Sequence, residues 1–229
     1  MGDLLQVRQD SLTSLTDGNL PAAALLRMGI MPLADKWDLF ALQGRMFNVF
    51  QGTLGTAVAM ADAAAGGIVL TAPTFRFTVP TGYTVFPYRF YASLLVVATA
   101  IDNELAICYS QTDSFTSAVA STTLVPKNFR TDNPRASIVT NCVSFAAGDL
   151  VEAALTNVRA IYQQCWPLDM TFGTSYNSDI TVEVKWPDLI PIVGPASVLV
   201  YIAGKDEART GYFGMEWAEV PTESAIGAV

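Results

Sequence analysis

The sequence predicts an all-β protein, built as a single jelly-roll-like β-sandwich with an N-terminal arm that carries a short helix. About eight apolar runs of strand length recur along the chain, separated by Gly/Pro turns or longer polar loops. Apolar residues make up 51% of the 229 residues and charged residues only 15%, which allows a sizeable core. All-β folds of this length commonly form one unit. We therefore assign residues 1–36 to the arm and 37–229 to the sandwich.

The arm differs from the rest of the chain in its polar, turn-rich start. A helix is predicted over residues 21–28, with Asn19 as its cap, Pro21 in its first turn, and Gly29 and Pro32 after its end. The many apolar side chains between residues 20 and 33 favour an arm that docks on a neighbouring subunit over a terminus that frays.

The first strands follow the arm directly. Gly44 divides the apolar block at 37–50, and the second part of that block predicts a strand that continues, extended or bulged, through residue 60. At 75–79, three apolar side chains alternate with Arg76 and Thr78, which is the period of a strand with one buried face.

The stretch from 88 to 97 predicts a long strand inside a two-layer β-structure. Even-numbered residues from Tyr88 onward share one face, and both faces are largely apolar from Leu94 onward. A turn is predicted at 101–104 and a strand at 105–109, so that the two strands form a hairpin.

The second half of the chain alternates polar links with short β-prone runs. Residues 110–134 fit either a functional loop or a loop that contains short strands. The apolar residues at 150–165 match neither a helical nor a strand period clearly. The remaining strands are predicted at 136–145, 180–186, 197–203 and 212–220, and 180–186 has the alternation of a half-exposed strand.

Composition argues against several classes of function. The formal net charge of −8 and the lack of a basic cluster argue against direct nucleic-acid binding. The first ten residues lack the basic and apolar regions of a signal peptide. The charge-free stretch at 189–204 is too short and too broken by proline and glycine to span a bilayer. We expect a protein made in a cytoplasm, with no membrane partner.

The sequence predicts no catalytic, cofactor-binding or metal-binding residue. It contains no histidine, so the commonest general base and a frequent metal ligand are missing. The three cysteines, Cys108, Cys142 and Cys165, are widely spaced, which favours buried reduced thiols over a zinc site or a nucleophile. The acidic residues at 102–104 fit a solvated turn better than a calcium loop.

Carboxylates and aromatic side chains supply two further candidate sites. The pairs Asp149 with Glu152 and Glu216 with Glu219 could serve glycoside chemistry, but such pairs are common at strand edges. The other candidate is a sugar-binding platform, although most aromatic residues fall on apolar faces of predicted strands, where core packing is favoured. The aromatic residues considered are Tyr83, Tyr88, Tyr91, Tyr109, Tyr162, Tyr176 and the four tryptophans.

Two stretches resemble virion proteins of tailed and icosahedral bacterial viruses. Residues 75–87, FRFTVPTGYTVFP, are similar to a strand–turn–strand of phage β-sandwich shell and cement proteins. Residues 196–221, ASVLVYIAGKDEARTGYFGMEWAEVP, look like the closing hairpin of those proteins. The resemblance implies assembly as trimers or larger rings that stabilise a capsid, and it carries over no functional residue.

The sequence therefore predicts a structural subunit of a viral (phage) particle, a capsid or cement protein located in the virion. Its partners would be copies of itself, with a trimer favoured, and other virion shell proteins. The alternative is a carbohydrate-binding sandwich of a fibre or surface protein, which requires exposed aromatic residues clustered on one loop face. The third class, an enzyme with two converging carboxylates, is the least favoured.

Overall fold

The protein consists mainly of β-strands, which form two antiparallel sheets packed face to face. In the computed structural model, helix α1 (Lys36–Leu42) precedes thirteen strands within the described part of the chain. The strands are β1 (Met46–Gln51), β2 (Val58–Ala59), β3 (Phe75–Val79), β4 (Tyr83–Leu95), β5 (Asp102–Ser110), β6 (Ser121–Thr123), β7 (Lys127–Asn128), β8 (Thr140–Phe145), β9 (Arg159–Pro167), β10 (Ile180–Lys185), β11 (Ile192–Val193), β12 (Ala196–Gly204) and β13 (Thr210–Pro221). The structure describes residues 36–53, 56–60, 68, 70, 72–95, 102–111, 121–132, 135–145, 157–167, 180–204 and 210–223.

The connectivity is that of a jelly roll. The first sheet has the order β10-β4-β13-β1-β7, and the second sheet has the order β6-β8-β3-β12-β5-β9. Four antiparallel pairs are nested along the chain, namely β1 with β13, β3 with β12, β4 with β10 and β5 with β9. Successive pairs alternate between the two sheets, which is the winding expected of an eight-stranded jelly roll. The predicted all-β, jelly-roll-like sandwich is confirmed.

The core lies between the two sheets and is largely aromatic at its centre. Phe213, Met215 and Trp217 point inward from β13 and are at most 1% exposed, as the alternation at 212–220 predicts. The Trp217 ring stacks on Phe77 of the second sheet, with ring centroids 5.0 Å apart and planes at 17°. Full burial of each such side chain contributes about 1.5–3 kcal/mol, so these two rings add to the packing of a large buried cluster between the sheets.

Several predicted strands are confirmed. In β10, Val182 and Val184 are buried, whereas the alternating residues Thr181, Glu183 and Lys185 are exposed. The polar stretch 110–134 does hide short strands, β6 and β7, and the stretch of unsettled period ends in β9. The predicted helix at 21–28 lies outside the described residues.

The predicted hairpins are wrong. β4 lies in the first sheet and β5 in the second, so the two strands do not pair as a hairpin, and residues 102–104 belong to β5 rather than to a turn. The stretch 196–221 likewise contributes β12 to one sheet and β13 to the other. A jelly roll passes consecutive strands between sheets, and residue alternation cannot distinguish this path from a hairpin.

The strand at 75–79 is buried on both faces, not on one. Arg76 has no exposed surface, and its Nη2 donates to the Ser197 hydroxyl at 3.0 Å and to the Thr78 hydroxyl at 3.3 Å. β3 lies between β8 and β12 within the second sheet, and the two hydroxyl groups provide polar surroundings for Nη2 of this buried cation.

Two local features of the first sheet also differ from expectation. The apolar block at 37–50 begins with α1, which is too short to display a helical period in sequence. A register irregularity opposite Glu216 and Trp217 adds one residue to β4, so Tyr88 and Phe90 do not share a face. Bulges of this kind re-aim side chains.

Candidate interaction surface

The outer face of the first sheet has two ends with different surfaces. At one end α1 packs over the sheet, and we call this the covered end. At the other end three aromatic rings, those of Phe50, Tyr91 and Tyr212, lie on the sheet itself, and we call this group the aromatic platform. β13 runs through both ends, with β1 and β4 on its two sides.

The covered end is closed by Trp37 and Phe40 of α1. Both side chains are buried, in a cluster with Met46 and the small residue Ala218. The Trp37 ring centroid lies 4.6 Å from that of Tyr88. A seven-residue helix is not stable alone, so the burial of these two aromatic side chains holds α1 in place.

The aromatic platform is formed by strand register. Phe50 of β1 and Tyr91 of β4 both lie opposite Gly214 of β13, and Tyr212 precedes Gly214 by two residues on the same face. The Phe50 ring centroid is 6.3 Å from Tyr91, with planes at 24°, and 6.4 Å from Tyr212, with planes at 11°. The three rings are therefore nearly parallel.

Two glycines allow the tyrosine rings to lie close to the backbone. A Cβ atom on Gly214 would lie 2.3 Å from Cζ and Oη of Tyr91, and one on Gly52 would lie 2.5 Å from Cδ1 of Tyr212. Each ring thus occupies the space that a side chain on the opposite strand would fill. The Tyr91 ring reaches over β13 beside Phe50, whose side chain is 50% exposed.

Charged side chains border the platform and are paired with one another. Arg89 donates to both carboxylate oxygens of Glu216, at 2.5 and 3.0 Å, and Lys185 contacts Glu183 at 2.9 Å. The hydrogen bond from Arg89 to Glu216 raises the pKa of Arg89, and the hydrogen bond from Lys185 lowers the pKa of Glu183. The guanidinium of Arg89 also lies 5.0 Å from the Tyr91 ring. The four charges cancel, so this border has no net charge.

The structure separates Glu216 and Glu219, the carboxylate pair considered in the sequence. Glu216 faces outward to Arg89, whereas Glu219 points inward and is fully buried. Glu219 accepts hydrogen bonds from Trp217 Nε1 at 2.9 Å and from the Ile138 amide at 3.0 Å. The hydroxyl of Ser137 donates to it as well. Burial raises the pKa of Glu219, and these hydrogen bonds oppose the rise. The other pair, at 149 and 152, lies outside the described residues.

The cysteines differ in exposure. Cys108 and Cys142 are buried, and burial raises their pKa values to about 11 and about 12 respectively, so both are neutral thiols at physiological pH. Cys165 is exposed, which contradicts the prediction that all three are buried, because it lies on β9 at the edge of the second sheet. None of the three forms a disulfide.

The acidic stretch at 102–104 is not a solvated turn. Asn103 is buried within β5, and the Glu104 carboxylate accepts a hydrogen bond from the Ile68 amide at 3.1 Å. Within the described ranges, no three histidine, cysteine or acidic side chains are grouped to hold a metal ion.

Exposed apolar side chains mark two opposite edges of the first sheet. Leu42, Val125 and Phe129, at 66%, 74% and 36% exposure, accompany the β7 edge, where Arg130 Nη1 donates to the Leu42 carbonyl at 2.7 Å. Ile190 and Val193, at 42% and 54%, lie at the β10–β11 edge. The sequence does not reveal the exposure of these residues, because an apolar residue in a short link between strands belongs to no repeating pattern.

Comparison with protein-family models, with curated proteins and with solved structures found no match. The helical part of the described chain is short, and no helix there has the length and apolar character needed to cross a membrane.

Proposed function

We propose that the chain is a structural subunit of a viral (phage) particle, a capsid or cement protein that acts through contacts between subunits. The observation that carries the proposal is the nested pairing of β1 with β13, β3 with β12, β4 with β10 and β5 with β9. Eight-stranded jelly rolls with this winding are used in viral capsids and also in lectins and cupins. Because one fold serves several functions, the surface has to support the assignment as well.

The two apolar edges of the first sheet support assembly. The group Leu42, Val125 and Phe129 and the group Ile190 and Val193 lie on opposite edges, so one copy can present its first group to the second group of the next copy. Contacts of this head-to-tail kind close into rings when the rotation between copies permits. Exposed apolar side chains that cluster at an edge are typical of surfaces that a partner covers.

The proposal includes the arm and the location of the protein. Residues 1–36 would dock on a neighbouring copy, and the partners would be copies of the chain, in a trimer or larger ring, and other virion shell proteins. The protein would be made in the host cytoplasm and reside in the virion, without catalysis and without direct contact to nucleic acid.

The test is the mass of the purified protein in solution, measured by light scattering over a concentration series. We expect a trimer or a larger assembly. In a head-to-tail ring every contact uses both edges, so Val125→Lys and Val193→Lys should each reduce the assembly to monomers. Thr81→Lys, in the exposed turn between β3 and β4, is the matched control and should leave the mass unchanged.

Deletion of residues 1–35 tests the arm separately. The truncated protein should keep its β-sheet circular-dichroism spectrum but assemble more weakly than the full chain. An unchanged mass after the deletion would exclude a docking role for the arm. A wild-type protein that stays monomeric over the whole series contradicts the assembly proposal itself.

A further inference from the structure

We propose that the aromatic platform of Phe50, Tyr91 and Tyr212 binds a neutral oligosaccharide built of flat pyranose rings with equatorial substituents. The proposal goes beyond the structural role, since it concerns the face of the first sheet rather than its edges. It also differs from the sequence-based alternative, which requires a cluster of aromatic residues on a loop face.

The arrangement of the rings provides the first argument. A pyranose whose hydroxyl groups are equatorial has apolar C–H faces, and such a face is complementary to the negative face of an aromatic ring. Tyr91 and Tyr212 lie over glycine backbone, and Phe50 is nearly parallel to both. Neighbouring ring centroids are 6.3 and 6.4 Å apart, so the aromatic surface continues from one ring to the next. The platform therefore suits several linked sugars better than a single one.

The exposure of the platform provides the second argument. An aromatic ring that covers a glycine also stabilises the strand pair, so Tyr91 and Tyr212 have a structural role in any case. Phe50, whose ring is next to both tyrosine rings, is 50% exposed. At the covered end, Phe86 and Tyr88 of the same sheet face are partly buried and pack against the cluster that contains Trp37 and Phe40. The described residues supply no such cover for Phe50.

The charges around the platform identify the ligand class. Arg89 and Lys185 are balanced by Glu216 and Glu183, so this border has no excess positive charge for a sialylated or sulfated sugar. The net charge of −8 on the whole chain disfavours anionic ligands further. The Glu183 side chain is 40% exposed, and its carboxylate can accept hydrogen bonds from sugar hydroxyls.

The same charges argue against a second copy of the chain as the occupant. A protein partner that covered Phe50 would also desolvate the ion pairs of Arg89 and Lys185, which costs free energy unless new partners are supplied. A saccharide leaves those ion pairs in water and can hydrogen-bond to their outer atoms. A neutral sugar chain is therefore the occupant that fits both the rings and their border.

The experiment is isothermal titration calorimetry of the full chain with cellohexaose and chitohexaose as neutral probes and sialyllactose as the acidic probe. We expect saturable binding of at least one neutral hexasaccharide and none of sialyllactose. The absence of saturable binding for both neutral probes would overturn the proposal, as would preferential binding of sialyllactose.

Phe50→Leu is the decisive variant, because it retains an apolar side chain and removes the flat ring. We expect it to weaken hexasaccharide binding about tenfold or more, in line with the loss of one stacked ring. Gly214→Ala retains all three rings but displaces Tyr91, and should weaken binding to a smaller extent. Thr81→Ala, in the exposed turn between β3 and β4 and outside both proposed binding surfaces, should bind like wild type.

Two outcomes separate this proposal from the assembly proposal. If Phe50→Leu binds the hexasaccharides like wild type, stacking on the platform is excluded whatever the oligomeric state. If Phe50→Lys, rather than the edge variants, reduces the mass in light scattering, a second copy occupies the platform and the saccharide proposal is wrong. Loss of assembly in the edge variants with saccharide binding unchanged would support both proposals.

Discussion

The covered end and the aromatic platform use the same sheet face in opposite ways. At the covered end, the small residue Ala218 belongs to one buried cluster with Trp37 and Phe40, so side chains of α1 cover the sheet there. At the platform, Gly214 and Gly52 allow Tyr91 and Tyr212 of the sheet itself to lie over the backbone. A small residue on a sheet thus leaves room that either a packed helix or a neighbouring ring can fill. The first solution hides apolar surface, and the second leaves it accessible.

The largest expected difference between the two ends is in their contribution to stability. Trp37→Ala removes a buried ring that contacts Tyr88 and Trp186, and should lower the free energy of unfolding by about 3 kcal/mol. Phe50→Ala removes a ring that is half exposed, and should cost less than about 1 kcal/mol. Urea unfolding followed by circular dichroism measures both. Equal losses of unfolding free energy in the two variants would show that the platform is packed like the core. The two ends of the sheet face would then not differ in their contribution to stability.

Alanine substitution of two glycines on β13 should change stability by an intermediate amount. A Cβ on Gly211 would meet the Ser93 carbonyl oxygen at 2.3 Å, whereas one on Gly214 would meet the tip of the Tyr91 ring at the same distance. Backbone cannot move aside without strain, so Gly211→Ala should cost about 2 kcal/mol. The Tyr91 ring can rotate away, so Gly214→Ala should cost less than about 1 kcal/mol.

Denaturant unfolding with a matched ligand titration checks the glycine pair. Gly211→Ala should be less stable, whereas Gly214→Ala should be nearly as stable as wild type but weaker in saccharide binding. A large stability loss in Gly214→Ala would mean that the Tyr91 ring is fixed by its surroundings.

The smallest expected effect is a difference in pH dependence between two glutamates. Burial raises the pKa of Glu219 above the ordinary value of 4.5, so the native state holds this proton more tightly than the unfolded chain. The contribution of Glu219 to the free energy of unfolding is therefore greatest at low pH and falls as the pH rises above 4.5. The pKa of Glu183 is lowered, mainly by its hydrogen bond from Lys185, so its contribution is instead lost as the pH falls.

Unfolding curves from about pH 2.5 to 8 for wild type, Glu219→Gln and Glu183→Gln test these opposite pH dependences, since the contribution of Glu183 is lost mainly below pH 4.5. As the pH rises, the free energy of unfolding of wild type should fall relative to that of Glu219→Gln. Relative to Glu183→Gln, it should rise over the same change in pH. Parallel pH profiles for the two variants would show that the environments of these carboxylates are alike.

The parts of the fold that the sequence predicts well are those where one local pattern decides the outcome. In β10 the alternation of Val182 and Val184 with charged residues has a single reading, since it places one face in the core. Strand pairing cannot be predicted from a local pattern in the same way, because it depends on which of the two sheets a strand joins. The hairpin predicted around 101–104 is wrong for this reason, although both of its strands exist.

The candidate sites were predictable only in part. The inward face of Trp217 follows from alternation along β13, and with it the separation of Glu216 from Glu219. The platform forms because Phe50 of β1 and Tyr91 of β4 both lie opposite Gly214 of β13. This register joins three strands that are far apart in sequence. No local pattern contains that register. The sequence feature that points to the platform is a glycine within a strand that also carries aromatic residues. This feature identifies the platform residues only when the strand pairing is known.

The nested pairing also sets an order of events during synthesis. β13 joins β1 to β4, so the first sheet exists as separate pieces until β13 has left the ribosome. Every pair that closes the sandwich, from β5–β9 outward to β1–β13, waits for a strand made later. Folding through such distant contacts is slow, and the apolar strands made early remain unpaired during that interval. Until the later strands are made, the apolar faces of the early strands are therefore open to contacts with other chains.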